Sequence, residues 1–290
     1  MDYHKDRFND FSLLVYDDNK LLAVFPANIK ENQVYSHQGL SYGGVILKEK
    51  RISFSVHLKI YQSILNFLNS NKIETLHIKS IPDFYFKSIN QESEIIFNWL
   101  EAKVSKIDIY SVIDTTDFYN TPNRNRLRNL KKATSLNLHF YEEKKDFNQF
   151  WEQVLNKNLK NRFGVKAVHS LDEIKYLKHA FNDEIKLFLV KDSKSILAGA
   201  VLFIFDDVVH FQYSSGVEDR SNGALDFLFL EIVKKYSHMK FISFGSSMIS
   251  KNQISKGLLY WKESLGTRNT VQKFYTLHTK NFQLLDNRII

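Results

Sequence analysis

The stretch HFQYSSGVEDRSNGALDFLFLEIVKKY, from His210 to Tyr236, decides the reading of this chain. It begins as a strand, passes through a polar loop carrying Arg220 and Gly223, and continues as an amphipathic helix. A loop that ends at a helix N-terminus presents backbone N–H groups with no intrahelical partner, and such groups bind anionic phosphate well. Ser221 or Asn222 could instead serve as a simple N-cap, which requires no ligand. Glu218, Asp219 and Asp226 oppose an anion there, because nearby carboxylates repel it. In the strand, alternation places His210, Gln212 and Ser214 on one face and Phe211 and Tyr213 on the other.

Working outward, the preceding strands are IKLFLVK and ILAGAVLFIF, and the following elements are FISFG, the helix GLLYWKESL closed by Gly266, and the strand TVQKFYTLHT. A similar rhythm occupies the first third: strands SLLVYDD and LLAVFPANI, the glycine-rich SHQGLSYGGVIL, a helix from about Phe54 to Asn69, the strand ETLHIKSI, the helix QESEIIFNWLEAK and the strand KIDIYSVID. Between the two runs lie the basic helix NRNRLRNLKKA, a helix from Phe147 to about Lys160, and a third helix opened by the capping box Ser170-Leu-Asp-Glu173. The pattern predicts an α/β (α+β) chain of two similar domains, 1–118 and 119–290, each with a mixed, mostly antiparallel sheet flanked by helices.

The chain has 290 residues, 43% of them hydrophobic, enough for a core in each domain. It contains no cysteine, which excludes disulfides, thiolate metal sites and a thiol nucleophile. No close cluster of histidine and carboxylate spacing indicates a metal, and no Walker A or nucleophile-elbow motif is present. The N-terminal MDYHKDRFNDF lacks an apolar core segment, and no apolar run approaches membrane-spanning length, so the chain reads as soluble and cytoplasmic. Its formal charge of +8 favours anionic partners. The basic residues Arg124, Arg126, Arg128, Lys131 and Lys132 are confined to one helix, which suits a nucleotide diphosphate better than a nucleic acid.

The turn Arg220-x-x-Gly223 resembles the pyrophosphate-binding turn of GNAT acetyltransferases, although Leu225 stands where a second small residue belongs and Ala224 comes one place early. Together with YHKDRF, SHQGLSYGG, PNRNRLRNLKKA, HSLDEI, HFQYSSG, LDFL and KGLLYWKESLG, it makes the chain similar to the tandem-GNAT, FemAB-like acyltransferases, in particular a branch that N-acylates dTDP-linked amino sugars for O-antigen or capsule. The resemblance spans nearly the whole chain, with the first domain expected to be either reduced or truncated at its start. It implies two GNAT-like domains, acyl-CoA as co-substrate and a nucleotide-linked amino sugar as acceptor; no metal is expected, since no ligand motif is present. Direct attack of the amine on the thioester is the expected mechanism, since the absence of cysteine removes the commonest acyl-enzyme nucleophile. His37 is the expected base, with a water held by Gln212 as the alternative, and Tyr213 is the expected acid or orienter. Ser214, Ser215, Arg220, Ser221, Asn222, Gly223 and Ala224 are the expected acyl-CoA contacts. Tyr42, Arg124, Arg126, Lys132 and His169 are the expected acceptor contacts. Two other readings stand beside it: an aminoacyl-tRNA-dependent transferase of the peptidoglycan-bridge type, and a non-catalytic GNAT-fold binding module.

Overall fold

The computed structural model describes residues 2–48, 52–87, 91–117, 121–219 and 221–289. Contacts divide the chain into unit 1, residues 1–108 with 271–290, and unit 2, residues 109–270. The division falls inside two strands, after Asp108 and after Thr270. The strand rhythm alone placed a single boundary at 118/119 and left the last strand with the second domain, whereas the contacts group residues 271–290 with unit 1.

Unit 1 contains β1 (Asn9–Asp10), β2 (Leu13–Asp17), β3 (Lys20–Phe25), β4 (Asn28–Lys30), β5 (Gln33–Tyr35), β6 (Ile46–Leu47), α1 (Phe54–Ser70), β7 (Thr75–Lys79), α2 (Glu92–Trp99) and the first part of β8 (Lys103–Asp114). The strands β1, β4, β5 and β7 lie side by side in that order, followed by the final strand of the chain, while β2, β3 and β6 form a small sheet of their own. All these pairings are antiparallel except β5 with β7. The helix α1 forms because Ile60, Tyr61, Ile64, Leu65 and Leu68 recur at helical spacing, and Ser53 caps its N-terminus by accepting the Val56 N–H. That face is buried against Phe25, Val34, Leu76 and Leu277. Each such side chain contributes about 1.5–3 kcal/mol by leaving water.

Unit 2 contains the rest of β8, α3 (Arg124–Ser135), β9 (His139–Glu143), a π-helical turn over Gln149–Asn156, α4 (Lys157–Phe163), α5 (Leu171–Ala180), β10 (Ile185–Lys191), β11 (Ile196–Phe205), β12 (Val208–Gly216), α6 (Ala224–Lys235), β13 (Phe241–Ser246), β14 (Met248–Ser250), β15 (Gln253–Ile254), α7 (Lys256–Glu263) and the start of β16 (Arg268–His278). Its strand order is β8, β13, β12, β11, β10, β9, antiparallel except for β12 with β13. Alternation along β10 sends Phe188 and Val190 to the core under α6, and Leu187 and Leu189 to a second core under the π-helical turn and α5. The capping box at Ser170 and Glu173 forms as expected. The Phe147–Lys160 stripe is helical, but its first turns are π rather than α. The strand β9 and the β14–β15 hairpin are elements the sequence reading lacked.

A glycine pair such as Gly43-Gly44 can loosen a strand or let a ligand approach the backbone. Gly43 instead lets the chain pass its own backbone, since a Cβ there would stand 2.4 Å from the Ser36 carbonyl oxygen.

Candidate active site in unit 2

The parallel strands β12 and β13 pair only over Val208–His210 and Phe241–Ser243. Beyond that point, among the described residues, the β13-facing edge of β12 has no strand partner, and the two strands fork. Two irregularities accompany the opening. On β12, Leu202 pairs with Phe211 and Val201 with Tyr213, so Gln212 is the extra residue of a bulge. On β13, Gly245 takes φ +70 where the pairing with β8 shifts register.

The bulge overturns the expected facing of β12. Phe211 stacks on Phe229 of α6 (4.4 Å between centroids) and lies 4.9 Å from Phe244, whereas Tyr213 packs on Trp151 on the opposite side of the sheet (5.0 Å). One extra residue reverses every facing that follows it. Tyr213 also meets His169: the His169 backbone N–H donates to Oη at 3.1 Å, and Nδ1 lies 2.6 Å from Oη.

A polar cluster that the sequence reading missed lies at the fork. Lys262 of α7 is only 4% exposed, and its Nζ donates to the carbonyl oxygens of Gly245 (2.9 Å) and Ser246 (2.8 Å). No carboxylate among the described residues pairs with it. Burial therefore pushes its pKa down to about 7. His210 of β12 hydrogen-bonds through Nδ1 to Ser243 Oγ at 3.1 Å. Burial first, and the Lys262 charge second, push its pKa down to about 4, so the ring is neutral at pH 7. Ser247 Oγ, next in sequence to Ser246, is buried without a partner. The only local signal was a lysine set between the apolar residues Trp261 and Leu265 in a short helix.

The turn before α6 differs from an open anion cradle. Asp219 Oδ1 accepts the Ser221 N–H (2.8 Å), Asn222 Oδ1 accepts the Ala224 N–H (2.8 Å), and Asn222 Nδ2 donates to the Asp219 carbonyl (3.2 Å). Arg220 lies outside the described residues. Ser214 is exposed, while Ser215 is buried and its Oγ accepts from Asn158 Nδ2 at 2.9 Å. Gly223 is left-handed (φ +74), and a Cβ there would stand 2.5 Å from the Asn129 carbonyl oxygen of α3. Gly223→Ala is expected to destabilise the protein by roughly 1–3 kcal/mol. A urea unfolding midpoint equal to wild type would show that α3 can yield.

Arg126 is not available to substrate phosphates. Its Nη1 donates to both oxygens of the buried Asp226 (2.9 and 2.8 Å), which also accepts from Asn129 Nδ2 (2.5 Å) and Trp261 Nε1 (3.2 Å). Arg124 and Lys132 are exposed on α3. His37 and Tyr42 belong to unit 1. His37 is 1% exposed, its Nδ1 accepts the Gly39 N–H at 3.2 Å, and its ring packs on His4 and Phe8. Burial lowers its pKa. A base must reach the proton it removes, and His37 is a packing residue instead. Burial pushes the Tyr42 phenol up to about 12, and its ring lies 4.6 Å from that of Tyr85.

Among the described residues, no group of three or more His, Cys, Asp or Glu side chains could hold a metal ion, and no helix is long and apolar enough to cross a membrane.

No family model and no curated protein matches the chain. Solved structures do. FemX superimposes with a TM-score of 0.67 at 12% identity, covering 98% of this chain and 92% of FemX. The C-terminal domain of a putative lysylphosphatidylglycerol synthetase from Agrobacterium fabrum gives 0.60 at 11% identity, covering 93% and 84%. A tandem GNAT protein from the clavulanic acid biosynthesis pathway gives 0.51 at 6% identity, covering 92% and 82%. At these identities the likeness is one of fold, and the chain has the tandem GNAT-like fold that these proteins share.

Proposed function

We propose that this chain is an N-acyltransferase and that transfer takes place at the fork between β12 and β13. The observation that carries the reading is Lys262, a buried amine with no carboxylate partner among the described residues, held by two carbonyls where the strands part. An ammonium has three N–H donors, and the two carbonyls use two. The third, with backbone N–H groups of β12, suits the oxygen of an acyl carbonyl that becomes negative when an amine attacks. The amine nitrogen forms the new C–N bond and loses a proton. The C–S or C–O bond to the donor breaks, and the leaving group takes up a proton.

The donor is read as acyl-CoA and the acceptor as a dTDP-linked amino sugar. The family resemblance, the unpaired edge of β12 and the α6 N-terminus behind Gly223 support this reading. Tyr213 and His169, joined by their short contact, would orient the amine. A specific observation favours a second donor, an aminoacyl-tRNA. Asp219 and Asn222 already take two of the N–H groups that a pyrophosphate needs. In addition, α3 and α4 carry Arg124, Arg128, Lys131, Lys132, Lys157 and Lys160, all exposed, with no acidic residue. Each helix by itself presents a basic face that suits a polyanion.

Purified protein offered acyl-CoAs with dTDP-amino sugars, and separately labelled aminoacyl-tRNAs with amine acceptors, separates the readings. Thiol release that needs both partners, with an N-acyl product by mass, is the expected result. Label moving only from tRNA selects the second donor. Binding without turnover in either assay overturns the transferase reading and leaves a binding module.

A further inference from the structure

Just past the fork, the chain leaves β13 as SSMISKNQISKGLLYWK, residues 246–262. The first part folds into the β14–β15 hairpin, tied at its base by the Ser255 N–H to the Ser247 carbonyl (2.9 Å), and Ser255 Oγ then caps α7 by accepting the Leu258 N–H (3.4 Å). A hairpin this short has almost no core of its own. It nevertheless displays large apolar side chains: Ile249 is 68% exposed, Ile254 44%, Leu258 41% and Tyr260 58%. Lys251 and Lys256 are exposed among them, and no carboxylate occurs between Glu231 and Glu263.

Two properties point to one class of partner. Aliphatic side chains and a tyrosine clustered in a short protrusion favour the boundary between headgroups and acyl chains, where Tyr places its ring in the apolar layer and its hydroxyl in the wet one. Lysines without neighbouring acids are attracted to a negative surface. A protein partner of matching charge would have to supply both an apolar seat and carboxylates; an anionic bilayer supplies both at once and needs no shaped seat. We propose that the β14–β15 hairpin and the first turn of α7 dock unit 2 on an anionic lipid bilayer.

The docking element and the fork are joined directly. The carbonyls of Gly245 and Ser246, which hold Lys262 Nζ, immediately precede the hairpin, and Lys262 ends the basic segment. Where the transferase reading holds, one of the two substrates is then lipid-linked or surface-bound. The docking itself does not depend on that reading, because it is measured without substrate.

The test is sedimentation of the full chain with vesicles of phosphatidylcholine alone and of phosphatidylcholine mixed equally with phosphatidylglycerol. Wild type is expected to partition onto the anionic vesicles and to be released by salt. Lys251→Glu with Lys256→Glu is expected to lower partitioning roughly twentyfold or more. Ile249→Asp with Ile254→Asp is expected to lower it comparably with the lysines intact. Lys144→Glu with Lys145→Glu, an equal change of charge at exposed positions elsewhere in unit 2, is expected to have a much smaller effect. Circular dichroism confirms that each variant is folded. Absence of binding to anionic vesicles, or an equal loss in the Lys144/Lys145 control, overturns the proposal.

Discussion

Replacing Lys262 with methionine is expected to lower the rate of transfer by roughly a hundredfold to a thousandfold, as removal of an oxyanion donor does elsewhere. Methionine keeps much of the length and apolar bulk of the side chain and removes the charge. The same variant reports on stability through pH. Unfolded, Lys262 titrates near its ordinary 10.5; folded, burial brings it to about 7. Between those values the unfolded chain holds the extra proton, so raising the pH through that window stabilises the folded wild type relative to the variant. Below pH 7 both states of the wild type are protonated, and the wild type stands at its least favourable level relative to the variant. Activity assigned to the ammonium runs the other way and declines as pH rises past about 7. Initial rates and melting curves for both proteins from pH 6 to 10 check this. Undiminished turnover in the variant removes Lys262 from the chemistry, and a melting difference independent of pH removes the account of its burial.

The second large effect concerns Asp226. Its carboxylate is almost fully buried, and three donor groups converge on it from α3 and α7. Removing one side of such a pair leaves an uncompensated charge, so Asp226→Ala is expected to cost about 3–5 kcal/mol by orphaning Arg126. The Arg126 Nε is already buried without a partner, which leaves the guanidinium little compensation. The double change Arg126→Met with Asp226→Leu is expected to recover much of the loss, because a buried pair replaced by apolar side chains of similar volume is often close to neutral. Urea unfolding of the single and double variants measures the difference. Additive losses would show that the two side chains act separately. Since Trp261 adjoins Lys262, the same carboxylate also ties down the helix that carries Lys262.

Local physics made much of the fold legible in the residues themselves. The apolar spacing of α1, the capping box of α5 and the strand–loop–helix run from His210 to Tyr236 are decided within a few turns of chain. The pattern of strands carried the fold class as well. The short β14–β15 hairpin was not legible, because its exposed apolar residues follow no period that marks a strand. Nor was the bulge at Gln212, which depends on how β12 registers against β11 and places Phe211 and Tyr213 on opposite faces. The ion pair of Arg126 with Asp226 joins positions a hundred residues apart, and turned an expected phosphate ligand into a tie between helices. His37 looked like a base because its residue type titrates near neutrality; its burial decided otherwise. Lys262 is an ordinary lysine by type and becomes a group poised near pH 7 through its burial at the strand fork, where two carbonyls hold its Nζ. The sequence by itself determined most of the longer elements and their order, since these follow from contacts between near neighbours. Which polar groups meet, and how far each is removed from water, was decided only by the tertiary structure, because desolvation and charge pairing depend on residues far apart in the chain.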